Sequence, residues 1–258
     1  LLARSFPDLP PARQAPPCPR TLNDEQRSAV LALDRVAVVL LSGGPGTGKT
    51  STVLELLRRA QARHPEQRIG LAAPTGKAAR RLADAVRPAL DTVPCFTLHR
   101  WLEAAGEGFR RHRQRPLELD LLVIDEMSMV DLRLMSALLK ALPDACRLVL
   151  VGDPAQLPPV GSGAVWQRLM DSAVRERFGS ASVQLVQTYR NRGALADLAS
   201  TLRQQGIEAF GKHLDQLPAT ANVKHERASL RRLPPRPCAA LRSIHVPCGT
   251  TPKSRRAL

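Results

Sequence analysis

The stretch GGPGTGKT, Gly43 to Thr50, constrains the possible folds more than any other part of the chain. It fits G-x-x-x-x-G-K-[S/T], with Gly43, Gly48, Lys49 and Thr50 in the fixed places. Glycines let successive backbone N–H groups turn inward around phosphate oxygens. A helix starting at Lys49 aims the positive end of its dipole at the same anion. Such a loop needs a buried strand before it and an amphipathic helix after it. VAVVLLS and KTSTVLELLRRAQAR supply them. The nucleotide phosphates are expected to be cradled by Gly43, Gly44, Pro45, Gly46, Thr47, Gly48, Lys49, Thr50 and Ser51. Lys49 is expected to reach the β and γ phosphates, and Thr50 to ligate Mg²⁺.

The surrounding pattern sets the fold class. RIGLAAP, LDLLVIDE and CRLVLVGD read as buried strands, and SVQLVQ as a weaker one. Between them lie the helical stretches GKAARRLADAVRPAL and VDLRLMSALLKAL and a short helix, TLHRWLEAA. A further helix, LNDEQRSAVLALD, comes first, with Asn23 as its cap and Gln26 three residues on. Strands alternating with helices predict an α/β P-loop NTPase lobe, a parallel β-sheet covered by helices on both faces. An irregular C-terminal tail is expected after Gly211, with a short helix around HERASLRRL as an option.

LLVIDE ends a buried strand on two carboxylates. Asp125 is expected to hold Mg²⁺, and Glu126 to orient and deprotonate the attacking water; the alternative is a solvated acidic pair. RLVLVGD should lie beside that strand and end at the same edge. Gln156 would then stand near the γ phosphate as a sensor, or be incidental to a Pro-rich loop. Arg190, in QTYRN, is a fixed cation that can fork onto phosphate oxygens, or a solvated charge.

Net charge is +15, which invites a nucleic-acid partner. The part from Lys212 onward holds ten basic residues against Asp215 and Glu226, +8 of that total. Thr75, Gly76 and Lys77 open a helix after a strand, where they can hold a phosphate or simply cap the helix. Trp101 can stack a base or fill the core, and FRRHRQRP is a basic loop open to either solvent or DNA. Cys238, His245 and Cys248 fit no standard zinc spacing. Five scattered cysteines fit a reducing, cytoplasmic setting. No apolar run approaches the ~20 residues of a membrane span.

In order, LNDEQRSAV, GGPGTGKT, APTGKAARRL, FTLHRWL, VIDEMSM, LVGDPAQLPPVGSGAV and QTYRN resemble the superfamily 1 DNA helicases of RecD type, a group that includes the alpha chain of exodeoxyribonuclease V. The resemblance covers about residues 21 to 205. It implies a RecA-like lobe, ATP and Mg²⁺ as cofactors, and 5′→3′ movement on single-stranded DNA in recombination and repair. Nuclease and helicase partner subunits of the RecBC kind are implied as well. By the same match Gln26 reads the adenine and Gln156 contacts the γ phosphate. Arg190 reaches that phosphate from a second lobe, and Thr75, Lys77, Thr97 and His99 lie on the strand. The expected layout is a Pro-rich linker at 1–20, an ATPase lobe at 21–187, the start of a second lobe at 188–211 and a basic tail at 212–258. The later motifs of a second lobe are not found in that tail. A second reading is therefore a nucleotide-dependent DNA- or partner-binding module that does not translocate.

Overall fold

The computed structural model describes residues 13, 14, 16–189 and 194–216. It divides into a first unit running to Ala196 and a second from Asp197. In the first unit the strands are β1 (Val38–Gly43), β2 (Ile69–Ala73), β3 (Cys95–Thr97), β4 (Ala104–Ala105), β5 (Gly108–Phe109), β6 (Leu121–Ile124), β7 (Arg147–Gly152) and β8 (Ser182–Leu185). The helices are α1 (Asp24–Ala32), α2 (Lys49–Arg63), α3 (Gly76–Val86), α4 (Leu98–Trp101), α5 (Leu132–Ala141), α6 (Val165–Met170) and α7 (Ser172–Phe178). A six-stranded sheet has the order β3-β2-β6-β7-β1-β8. Every pairing in it is parallel.

Period-two alternation splits the strand residues between two cores. Leu40, Leu122, Ile124, Leu148 and Leu150 face one side, where they meet Leu98 of α4, Leu134 and Leu138 of α5 and Trp166 of α6. Val39, Leu41, Val123, Val149 and Val151 face the other, against Val30 of α1, Leu56 and Leu57 of α2 and Leu82 of α3. Hence the strands read as unbroken apolar runs in the sequence, and β1 and β7 are buried at all six positions. The expected doubly covered parallel sheet is borne out.

Local sequence explains most helix ends. The Asn23 side chain accepts from the Gln26 backbone N–H at 2.8 Å, and the Gln26 side chain accepts from the Asn23 N–H at 3.1 Å, a complete capping box. α2 starts and stops as expected, whereas α3 ends at Val86 because Pro88 cannot donate to the ladder. TLHRWLEAA is not one helix. Thr97 closes β3, α4 lasts one turn, and Ala104–Ala105 pairs antiparallel with Gly108–Phe109. The break falls at Glu103, which takes φ 52°. Arg111 and Arg115 hold its carboxylate at 2.7 and 3.1 Å, so part of FRRHRQRP is a folded hairpin arm.

The second unit contains most of a helix, α8 (Ala194–Asp215), which runs past Gly211, where order was expected to end. Non-helical angles at Gly206 break it, and the Thr201 hydroxyl and His213 Nδ1 meet across the break at 2.7 Å. No helix among the described residues is long and apolar enough to cross a membrane. Arg190, the HERASLRRL stretch and the Cys238, His245 and Cys248 set lie outside the described residues.

Candidate functional site

The strand order decides which side chains share an edge. All six strands of the main sheet run the same way, so their C-terminal ends lie together. Read across that edge, β3 leads to Thr97 and His99, β2 to Thr75 and Lys77, and β6 to Asp125 and Glu126. Next, β7 leads to Asp153 and Gln156, β1 to the glycine loop, and β8 to Tyr189. Neighbouring strands are ~4.8 Å apart, so the acid pair and the loop stand roughly 10 Å from each other.

The loop is built to receive an anion. α1, α3, α4 and α5 each have a side chain capping their first turn, whereas α2, like the short α6 and α7, has none, its N-cap position being Gly48. Its first N–H groups therefore lack side-chain acceptors. Gly48 has φ 84°, and a Cβ there would stand 2.5 Å from Gln26 Nε2. No other residue fits between the buried Gln26 amide and the loop. Thr47 is buried and its hydroxyl donates to the Gly44 carbonyl at 2.9 Å, which braces the turn. The Lys49 ammonium folds back onto the Gly43 and Gly44 carbonyls at 2.7 and 2.9 Å. Thr50 and Ser51 are exposed at the start of α2.

On β6, Leu121 to Ile124 are fully buried, and the chain emerges at Asp125. Burial pushes the Asp125 carboxyl above its ordinary value; the Glu126 N–H donating to Oδ1 at 2.8 Å opposes this, the Glu126 charge adds to it, and the Lys49 charge opposes it. A buried carboxylate held above its ordinary pKa is stabilised by an arriving cation. Glu126 sits in the left-handed region at φ 56°, ψ 44°. For a residue with a Cβ this costs on the order of 1–3 kcal/mol and persists where the surroundings enforce it. It turns the chain at once into a 3-10 turn, Met127–Met129.

β7 pairs directly with β6, Ile124 against Leu150, so the Gln156 loop opens beside the acid pair. Gln156 is exposed, but its Oε1 accepts from the Ser128 hydroxyl at 2.6 Å. Asp153 is buried, with Oδ1 accepting from the Ala155 N–H at 2.9 Å.

The strand-contact candidates fall together at the other end of the edge, with Ala73 paired to Thr97 across β2 and β3. Thr75 caps α3, accepting from Ala78 N–H at 3.2 Å, and Thr97 caps α4, accepting from Arg100 N–H at 3.2 Å. Lys77, His99 and Arg100 are exposed. Trp101 donates from Nε1 to the Leu71 carbonyl at 2.8 Å and packs edge-on to Phe96. It is half-buried and packs against the core.

Two site residues were not singled out from the sequence. Ser128 is one, and its signal was a small polar residue inside an apolar turn just past the acid pair. Tyr189 is the other. Its N–H donates to the Gly46 carbonyl at 2.8 Å, its ring lies 3.6 Å from the Cβ position of Gly48, and its hydroxyl donates to Gln187 Oε1. Its signal was an aromatic residue beside Arg190 in a chain that has one Tyr.

A parallel sheet that ends in an uncapped glycine loop and a half-buried carboxylate pair defines a P-loop NTPase lobe. Residues 26–162, just over half of the chain, match the AAA domain family, and the chain belongs to that family. The sequence is 41% identical over 206 residues to the RecBCD enzyme subunit RecD of Mycolicibacterium smegmatis, spanning 72% of this chain and 36% of that protein. It is 40% identical over 169 residues to the ATP-dependent RecD2 DNA helicase of Deinococcus radiodurans, spanning 66% of this chain and 22% of that one. The chain thus spans about a third or less of the length of these relatives. Bacteroides Pif1 bound to single-stranded DNA shares the fold at a TM-score of 0.51 and 20% identity, over 76% of this chain and 49% of that one. The resemblance to the RecD type read from the motifs is borne out.

Proposed function

We propose that this chain supplies the first motor lobe of an ATP-dependent DNA helicase of RecD type, which moves 5′→3′ on single-stranded DNA. The observation that carries the reading is the order of groups along one sheet edge. Strand-contact candidates, acid pair, glutamine and phosphate loop follow one another, so a change at the phosphate has a short path to the strand. The name of the RecD2 relative, an ATP-dependent DNA helicase, supports helicase activity, and that of the RecD relative, a RecBCD enzyme subunit, supports partner subunits. The polarity, and a setting in recombination and repair beside nuclease and helicase subunits of the RecBC kind, are part of the proposal.

The loop fits a nucleoside triphosphate, since the α2 N-terminus is uncapped by side chains and Lys49 rests on carbonyls it can exchange for phosphate oxygens. Gln26 and the Tyr189 ring border the loop where a base would lie. Mg²⁺, held by Thr50 and Asp125, would neutralise phosphate charge. Glu126 takes the proton of a water whose oxygen attacks the γ phosphorus as the bond to the β-phosphate oxygen breaks. Gln156 donates its amide N–H to the γ phosphate, and Arg190 adds a second cation. Thr75, Lys77, Thr97 and His99 hold the strand. Residues 21–187 form this lobe, 188–211 begin the second, 1–20 are a linker, and the basic part from 212 adds sequence-independent affinity for DNA.

The test is ATP hydrolysis by the chain with and without single-stranded DNA, together with displacement from a duplex bearing a 5′ overhang. Hydrolysis stimulated by single strands supports the motor-lobe reading, and hydrolysis indifferent to DNA rejects it. A nucleotide-dependent grip on the strand with no displacement, even when partner subunits are added, leaves the binding-module reading.

A further inference from the structure

Gln156 is exposed, yet one end of its amide is held from below. Ser128 has no exposed surface and donates its hydroxyl to Gln156 Oε1 at 2.6 Å. A single hydrogen bond of this kind biases the direction of the amide without being needed for folding.

The direction of the bond matters more than its strength. An amide has an accepting end and a donating end, and phosphate oxygens only accept. By donating to Oε1, Ser128 occupies the accepting end and leaves the NH₂ facing away from the turn. The other glutamine of the site is held alike: Gln26 Oε1 accepts from the Asn23 N–H at 3.1 Å, and its Nε2 lies against Gly48. Both glutamines have their oxygens committed to the protein. Ser128 also belongs to the 3-10 turn that follows Glu126, so the amide is tied to the backbone of the acid pair two residues upstream.

We propose that Ser128 is a positioning residue, which turns the NH₂ of Gln156 toward the γ phosphate and couples it to the turn carrying Glu126. This rests on the reading of Gln156 as the group that senses that phosphate. Ser128 touches no nucleotide; it acts only through the glutamine.

The experiment measures binding of a fluorescent ADP and of its non-hydrolysable triphosphate counterpart by the full 258-residue chain with Mg²⁺. The readout is the ratio of the two affinities in wild type, Gln156→Ala, Ser128→Ala, the double variant and Gln156→Glu. Losing one oriented hydrogen bond should lower triphosphate preference by about three- to tenfold in Ser128→Ala. The double variant should equal Gln156→Ala alone. Gln156→Glu keeps an acceptor for Ser128 but has no NH₂ to offer, so it should lose the preference as well, and it needs no change at the buried serine. If Ser128→Ala keeps the wild-type ratio while Gln156→Ala loses it, the serine is only packing and the proposal fails, with the sensor reading intact. Additive losses in the double variant, or a wild-type ratio in Gln156→Glu, overturn it too. A wild-type ratio in Gln156→Ala removes the sensor role itself.

Discussion

Strand β6 has an aspartate at each end, and the two are treated in opposite ways. Asp120 precedes Leu121. Burial works against its charge, but hydrogen bonds from the Arg68 side chain and backbone N–H, the latter at 2.7 Å, outweigh this and hold its carboxyl below the ordinary value. Other charges near that edge are paired within the chain as well. Asp34 takes Arg59 at 2.7 Å and Arg63 at 3.4 Å, and the buried Arg147 donates to the Leu33 carbonyl and to Gln67. Asp125, at the other end, is pushed up by burial, and among the described residues no arginine is a leading influence on it. On the same edge stand a left-handed Glu126, a helix without a side-chain cap and two amides whose oxygens are bound by the protein. At one edge the carboxylates are paired with arginines of the chain itself. The other is left in electrostatic need, which the proposed ligand, a phosphate group with a divalent cation, would meet.

The largest expected effect comes from removing a charge that links loop to acid pair. Lys49→Ala should abolish measurable ATP hydrolysis and weaken nucleotide binding, because Lys49 is set inside the loop and its charge also acts on Asp125. Unchanged turnover in the purified variant would erase the contrast between the two edges. Glu126→Gln should leave nucleotide bound and cut turnover by about 10²–10⁴, the share of a general base. If affinity collapses instead, the strained turn serves the fold and not the proton.

A smaller effect separates capping from DNA contact on the same edge. Thr75→Ala removes the α3 cap and should cost about 1 kcal/mol in urea unfolding whether or not DNA is present. A drop in single-strand affinity beyond that of Lys77→Ala would mean that the hydroxyl serves both purposes. Unfolding that does not move would show that the cap bond contributes nothing in solution.

What could be read in advance follows how far apart the cooperating residues lie. The loop, α2 and the Asn23–Gln26 box rest on neighbours within one turn, and local chemistry dictates them. Parallel pairing of β6 with β7 was foreseeable because two apolar runs end on acids. Ser128 and Gln156 meet 28 positions apart across that pairing, and no spacing rule relates them. β3 is three residues and β4 two, too short to show alternation, and the turn between α4 and β4 hangs on Glu103 adopting φ 52° under two arginines. Arg147 opens a buried strand, where a lone arginine reads as an error until the Leu33 carbonyl and Gln67 come into reach.

The smallest effect is also the most direct comparison, since it substitutes each end of β6 in turn. The folded pKa of Asp120 lies below its unfolded value, so its stabilisation is complete above the unfolded value and is lost as pH falls through the folded one. Asp125 is the reverse. Its folded pKa lies above the unfolded value, so its ionisation costs stability in full above the folded pKa, and the cost fades as pH falls through that value toward the unfolded one. Asp120→Asn should therefore lower the Tm at neutral pH and converge with wild type in acid below the ordinary carboxylate range. The pair with Arg68 is exposed to solvent, so the loss should be about 0.2–1 kcal/mol. That corresponds to at most a few degrees in a chain of this size. Asp125→Asn should raise the Tm of the nucleotide-free protein at neutral pH, and the gain should vanish as pH falls below the unfolded carboxylate value. Thermal unfolding of both variants across the acid range gives the two signs in a single series. Equal destabilisation by both would show that Asp125 is held by the fold as firmly as Asp120, and the upper edge would then not be waiting for a cation.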